Sequence, residues 1–313
     1  MDKDFLRMAD LGHTELGDLL DLADELKDDR RFRDSTESTR VRHDLHGRTI
    51  ALVFEKPSTR TRVSFQVAVH ELGAHPLPLS SQELQLGRGE TIGDTGAVLS
   101  RYCHAIVVRT FGQERLDELA AAATVPVVNA LTDLEHPCQA LADLLTVREE
   151  FGELSGRTLT YVGDGNNVAN SLLVAGALSG LDVRVAHPDG YAPDSDIVAT
   201  ARDLAQRSGA EVLVTTDVTK AVDGADAIYT DVWTSMGQEA EDDQRHEAFA
   251  DYQVTDTLFD AAADDAIFLH CLPAHRGEEV TAEVIDGPRS RVWDQAENRL
   301  HVQKALLLTL LTA

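Results

Sequence analysis

"TIALVFEKPSTRTRVSFQVAVHELG", residues 49–73, runs from an apolar stretch through a polar junction into an amphipathic one. "TIALVF" has the length and composition of a buried strand. "VSFQVAVHELG" places its apolar residues at helical spacing. Between them Ser58, Thr59, Arg60, Thr61 and Arg62 crowd a few positions. A helix start offers free N–H groups and partial positive charge, and hydroxyls with guanidinium groups add charge-assisted hydrogen bonds. The junction therefore suits a phosphate. Helix capping accounts for one of the hydroxyls and not for the cluster.

The same alternation continues outward. "AIVVRT" (105–110), "VPVVNA" (125–130), "TLTYVG" (158–163), "DVRVAH" (182–187), "EVLVTT" (211–216), "DAIYTDV" (226–232) and "AIFLHCL" (266–272) read as buried strands. Helical patterns such as "ADLLTVREEFG" and "VANSLLVAGALSG" lie between them. Strand and helix in alternation predict an α/β chain with two doubly wound parallel-sheet domains and a cleft between them. The division falls near "EEFGELSGRT" (149–158), giving a first domain over 1–148 and a second over 149–292. The apolar-faced tail, 293–313, is expected to form a helix that packs back on the first domain.

A length of 313 residues suits two domains, and 43% hydrophobic residues suffice for real cores. No apolar run reaches membrane-spanning length, and the acidic start "MDKDFLRMADLGHTEL" lacks an apolar signal core. Cys103, Cys138 and Cys271 have no paired spacing, which fits a reducing compartment and neither a disulfide framework nor a zinc motif. A cytoplasmic protein with no membrane partner is expected. The formal net charge is −26, which disfavours nucleic acid as a partner. Of 28 basic residues five are lysine, leaving 23 arginines. Acid spread along the whole chain suits a surface adapted to concentrated salt. The stretch "AEDDQRHE" (240–247) reads as part of that solvated surface.

Ligands of open parallel sheets sit beyond the carboxyl ends of the strands, so polar residues just after each apolar run are the candidates. Arg109 follows the 105–110 run. His136 opens the helix after "VVNALTDLE", where a helix start lowers its pKa and keeps it neutral. "GDGNNVANS" is a partial dinucleotide fingerprint: Gly163 and Gly165 fit, Val168 stands where a third glycine belongs, and His187 stands where a ribose-binding acid is expected. Asn166 and Asn167 offer neutral amides instead. Asp231 suits an ammonium group, Ser235, Met236 and Gly237 form a small turn, and Cys271 is either a nucleophile or a structural thiol. Arg299 follows at the last helix. Anion binders lie in the first half, and amine and amide binders in the second.

"STRTR", "HPCQALADLLT", "GDGNNVANS", "DVWTSMGQE", "HCLPAHRGEEV" and "ENRLHVQKA" together resemble the ornithine carbamoyltransferase family, over nearly the whole chain and in the family's order. The resemblance implies transfer of a carbamoyl group from carbamoyl phosphate to L-ornithine, with no metal or organic cofactor. It implies that Ser58, Thr59, Arg60, Thr61 and Arg109 hold the phosphate. His136, Gln139 and Arg299 engage the carbamoyl group, and Cys271 and Leu272 lie beside the reacting amine. Asn167, Asp231, Ser235 and Met236 hold the amino-acid end of ornithine. Catalysis falls to Arg60, Arg109, His136, Cys271 and Arg299. Gln85 matches a residue lent by a neighbouring subunit, so a homotrimer or a multiple of trimers is implied. The loop around Ser235 to Glu239 is a candidate lid.

Putrescine and N-acetylornithine carbamoyltransferases depart from the "SMG" turn, and aspartate carbamoyltransferase carries a different second half; this chain keeps the ornithine version. An acidic binding module is the non-enzyme alternative, and it has no use for the arginine and hydroxyl cluster. A nicotinamide dehydrogenase is the other enzyme class, and the missing glycine and acid weigh against it.

Overall fold

A computed structural model describes residues 3–36, 38–80, 89–234 and 239–312. The chain forms two compact units, Met1–Leu145 with Glu297–Ala313, and Thr146–Ala296. The boundary falls inside a continuous helix.

In the first unit, α1 (His13–Ser35) precedes β1 (Thr49–Phe54), α2 (Thr59–Glu71), β2 (His75–Ser80), α3 (Ile92–Tyr102), β3 (Ala105–Arg109), α4 (Gln113–Ala122) and β4 (Val127–Leu131). α5 (Pro137–Phe151) leads out of it. The strands form one parallel sheet in the order β2-β1-β3-β4. β3 is buried throughout, and β1 at every residue after Thr49. Unbroken burial means both sheet faces are covered, which is why these strands read as apolar runs without alternation. Ala51, Val53, Ile106, Val108, Leu116 and Leu119 share one core.

β2 was not among the expected strands. Its sequence "HPLPLS" carries Pro76 and Pro78, which have no N–H to give. It pairs only with β1, at the sheet edge, where proline is tolerated.

The second unit continues through β5 (Thr158–Val162), α6 (Asn167–Ser179), β6 (Asp182–Ala186), α7 (Ser195–Ser208), β7 (Val212–Thr215), α8 (Val218–Val222) and β8 (Ala227–Thr230). After β8 come α9 (Asp242–Phe249), α10 (Asp256–Phe259), β9 (Ile267–His270) and α11 (Ala282–Ile285). The sheet is parallel in the order β7-β6-β5-β8-β9. α6 lies directly on it: a Cβ at Gly176 would stand 2.2 Å from a methyl of Val183. That close approach requires glycine. Trp233, Phe249, Phe259 and Phe268 fill the core with Val162 and Ile228.

α12 (Val292–Thr312) closes the chain, and from Glu297 onward it belongs to the first unit. It is fixed there by polar as well as apolar contacts. Lys304 Nζ donates to Glu71 Oε2 at 2.9 Å, Arg30 Nε donates to Glu71 Oε1 at 3.0 Å, and Lys27 Nζ donates to Asn298 Oδ1 at 2.6 Å. No described helix is long and apolar enough to cross a membrane.

Strand order reverses once in each sheet, between β1 and β3 and between β5 and β8. Ligands of doubly wound sheets bind at such switch points. The expected site residues divide between these two places.

Candidate active site

At the first switch point Phe54 and Arg109 are register partners, so β1 and β3 end together. The loops beyond them are locked. Thr110 Oγ1 donates to Glu55 Oε1 at 2.8 Å, and Arg115 donates to Glu55 Oε2 at 2.7 Å. Lys56 pairs with Asp133 beyond β4 and stands 4.5 Å from the centre of the Phe111 ring. Sequence reasoning missed Glu55, Thr110 and Arg115, because nothing local announces a three-way pairing over 60 residues.

Ser58 occupies the N-cap position of α2, in extended conformation, and its side chain makes no capping hydrogen bond. Hydroxyls and first-turn N–H groups are thus gathered at one helix start, as the anion reading requires. Thr59 and Arg60 are exposed. Thr61 is buried, and its hydroxyl accepts a hydrogen bond from Arg299. Arg109, His136 and Gln139 are buried alongside.

His136 is held well below the ordinary imidazole range. Burial is the main cause, followed by the positive charges of Arg299, Arg109 and Arg60. All three guanidinium groups therefore act on one neutral imidazole, and the local sequence elements 58–61, 109, 136–139 and 299 converge. A neutral imidazole donates a hydrogen bond without adding a fourth positive charge.

Gln139 Nε2 donates to Asp143 Oδ1 at 2.8 Å. Its buried Oε1 has no hydrogen-bond partner among the described residues, so a ligand amide N–H has an acceptor waiting there. Cys138 donates to the Asn129 carbonyl, and burial pushes its thiol up to about 12, which makes it inert.

At the second switch point Asn166 caps α6, its Oδ1 accepting from Val168 N and Ala169 N. Its Nδ2 donates across to Asp231 Oδ2 at 2.9 Å. Asp231 Oδ1 accepts from Val232 N at 2.8 Å and from the Cys271 thiol at 3.0 Å. Asn166, Asp231 and Cys271 thus belong to one small constellation at the ends of β5, β8 and β9, and Asn167, half-buried, follows Asn166 as the first residue of α6. Leu272 follows in the left-handed region at φ 59°, a conformation that costs a non-glycine residue about 1–3 kcal/mol. Its N–H donates to His270 Nδ1 at 2.8 Å. His270 Nε2 lies 3.1 Å from Glu279 Oε1, with both side chains fully buried. A buried His–Glu pair thus holds the turn that presents Cys271 and Leu272, and sequence reasoning missed it.

The partial dinucleotide fingerprint is put to other use. Gly165 N donates to the Tyr191 carbonyl, and a Cβ at Gly165 would stand 2.1 Å from Pro193 N. His187 is buried, with Nδ1 2.8 Å from the Pro188 carbonyl. The backbone of 191–193 thus lies against the turn where a dinucleotide would need open approach. Gln85, Ser235 and Met236 lie outside the described residues, as does most of the candidate lid.

Residues 3–149 match the family model described as aspartate/ornithine carbamoyltransferase, carbamoyl-P binding domain. Residues 155–310 match its Asp/Orn binding domain. The chain is 59% identical over 307 residues to ornithine carbamoyltransferase of Parafrankia sp., covering 98% of this chain and 95% of that protein. The homologue of Acidothermus cellulolyticus is 57% identical over 314 residues, covering 100% and 98%. Among solved structures, ornithine carbamoyltransferase from Pyrococcus furiosus superposes with a TM-score of 0.91 at 51% identity, covering 97% of this chain and 95% of the other. That from Gloeobacter violaceus gives 0.88 at 49% identity, covering 99% of each. Family models that together span almost the entire length and relatives this similar place the chain in the aspartate/ornithine carbamoyltransferase family.

Proposed function

We propose that the protein transfers the carbamoyl group of carbamoyl phosphate to the side-chain amine of L-ornithine, giving L-citrulline and phosphate, or runs the reverse in arginine breakdown. The observation that carries this reading is the convergence of Arg60, Arg109 and Arg299 on neutral His136 at the first switch point. The full-length similarity to ornithine carbamoyltransferases supports the choice of amine.

Ser58, Thr59, Arg60, Thr61 and Arg109 hold the phosphate, with Gln85 of a neighbouring subunit completing the set. His136, Gln139 and Arg299 hold the carbamoyl oxygen and amide, and the acceptor left open on Gln139 Oε1 suits the amide. Asn167, Asp231, Ser235 and Met236 hold the amino-acid end of ornithine, with Cys271 and Leu272 beside the reacting nitrogen. An alkyl amine with a pKa near ~10 must lose a proton before it attacks. Its nitrogen then bonds to the carbonyl carbon, where oxyanion charge develops opposite Arg60, Thr61, Arg109 and His136. The bond from that carbon to the phosphate oxygen breaks, the attacking nitrogen gives its second proton to the departing phosphate oxygen, and phosphate leaves into the arginine cluster. No metal or organic cofactor is required by these steps. Positioning of both substrates supplies much of the rate.

The protein works in the cytoplasm as a homotrimer or a multiple of trimers, with a surface adapted to concentrated salt. The deciding experiment is citrulline formation by purified protein in concentrated potassium chloride. Carbamoyl phosphate is paired in parallel with L-ornithine, putrescine, N-acetylornithine and aspartate. Product with ornithine alone is expected. Product with another amine would overturn the roles of Asp231, Ser235 and Met236 and keep those of the first unit. No product from a folded protein would overturn the enzyme reading.

A further inference from the structure

The stretch 240–247 departs at one residue from the solvated surface expected of it. Arg245, on α9, is 5% exposed, while Glu241, Asp242, Asp243 and Glu247 around it are exposed. A buried guanidinium needs acceptors for its fork of donors. Nη1 donates to Asp164 Oδ2 at 2.8 Å and to the Trp233 carbonyl at 2.8 Å. Nε donates to Glu241 Oε2 at 3.3 Å. The guanidinium carbon stands 5.0 Å from the centre of the Tyr191 ring and 6.0 Å from that of Phe249, where ring faces attract a cation.

These partners adjoin the second switch point. Asp164 follows β5, and its carbonyl accepts from Asn166 N at 2.7 Å. Trp233 comes two residues after Asp231. The Tyr191 carbonyl accepts from Gly165 N. One side chain on α9 thus ties the segment after β5 to the segment after β8, from which Asn166 and Asp231 reach each other. Sequence hides the link, because 81 residues separate Arg245 from Asp164.

Charge gives the link a second consequence. Asp164 and Asp231 are 8% and 7% exposed. Burial pushes the Asp164 carboxyl above the ordinary carboxylate range, the bond to Arg245 pulls it down, and the negative charges of Asp231 and Glu241 push it up again. Buried carboxylates that repel favour a proton on one of them once the cation is gone. A protonated Asp231 would no longer attract an ammonium group.

We propose, given the reading of Asp231 as a holder of ornithine, that Arg245 and Asp164 are positioning residues for the amine substrate. Arg245 neutralises Asp164 and fixes the segments after β5 and β8, so Asp231 stays the carboxylate that meets a cationic amine.

Steady-state kinetics of citrulline formation by the full-length protein in concentrated potassium chloride test the pair. Arg245→Gln should raise KM for ornithine about tenfold and leave KM for carbamoyl phosphate within about twofold. Asp164→Asn should raise the ornithine KM too, because the guanidinium then lacks its carboxylate and opposes the substrate ammonium. The double variant restores the charge balance and keeps hydrogen-bonding groups at both places. Its ornithine KM should return to within about threefold of wild type. Arg245→Lys keeps the cation and should stay close to wild type. A pair that served structure alone would leave the double variant at least as impaired as either single one. Breaking a buried pair from one side is strongly destabilising, so circular dichroism checks each fold. Should Arg245→Gln fail to fold, Asp164→Asn and the double variant carry the same comparison. Equal rises in both KM values, an ornithine KM unmoved in the folded single variants, or a double variant no better than they are would overturn the proposal. Wild-type protein that makes no citrulline would overturn the ornithine reading itself, and the proposal with it.

Discussion

Arg60 is exposed in the first turn of α2. Arg60→Gly should therefore leave the melting temperature within a few degrees and cut kcat about 10²–10³-fold, the usual loss when one charge-stabilising donor is removed. Near-normal kinetics in a folded variant would refute the phosphate assignment. Asp231 is nearly buried, and it accepts from Asn166, Val232 and Cys271. Asp231→Ala removes those acceptors along with the charge, so it should cost about 1–3 kcal/mol of stability as well. Asp231→Asn keeps the shape. Both should raise KM for ornithine far more than KM for carbamoyl phosphate, and equal losses for the two substrates would remove Asp231 from its role. Residues of this kind were legible because each falls just past an apolar run. Their partners were not. Glu55 holding Thr110 and Arg115, or Glu279 holding His270, involves ordinary surface-type letters whose meaning depends on which strands end side by side.

Among the elements, central strands were the easiest to read, because a strand covered on both faces leaves an unbroken apolar run. β2 escaped because an edge strand tolerates two prolines, and α1 escaped because its many charges dilute its apolar spacing. α12 was legible as a greasy helix, and its polar anchoring was not. Lys304 and Glu71 are almost wholly buried and 2.9 Å apart, and burial lowers the lysine pKa despite the Glu71 contact that raises it. Lys304→Met leaves Glu71 buried with Arg30 as its ion-pair partner among the described residues. Breaking a buried pair from one side costs about 3–5 kcal/mol, and Arg30 should bring this case toward the lower figure. A chemical denaturation midpoint unchanged in Lys304→Met would show that apolar contacts alone dock the helix. The paired change Glu71→Leu with Lys304→Met should lose less than the sum of the two single changes.

For the whole molecule, pH and salt are the levers that composition and burial bring under one account. His136 and His301 are both buried and neutral, and burial with nearby cations takes His301 down to about 3. Lys304, Lys27, Arg30 and Arg31 face it, and the half-solvated Glu297 carboxylate at 3.6 Å does not offset them. An unfolded histidine titrates near ~6.5. Above that pH neither state binds the proton. Below it the unfolded chain gains protons that the folded chain refuses, so stability falls as the pH falls. Each such histidine contributes up to about 1.4 kcal/mol per pH unit in that window. His301→Leu should flatten the slope of unfolding free energy between pH 6 and 4.5 by close to one proton, and an unchanged slope would mean His301 titrates normally.

The salt dependence expected from the composition has a different origin. With 54 acidic and 28 basic residues, acidic side chains outnumber basic ones by 26. Exposed pairs such as Arg40–Asp34 and Arg276–Asp286 add little each, so they do not offset that excess. At 0.1 M salt the screening length is about 10 Å, comparable with the spacing of neighbouring surface charges, and at 1 M it is about 3 Å. The melting temperature and the activity should both rise steeply between 0.1 and 2 M potassium chloride. Sucrose at matched osmotic strength separates screening from general exclusion, because it favours compact states without shielding charge. If sucrose reproduced the full gain, or if the protein were already at its maximum stability in dilute buffer, the acidic surface would be serving solubility alone.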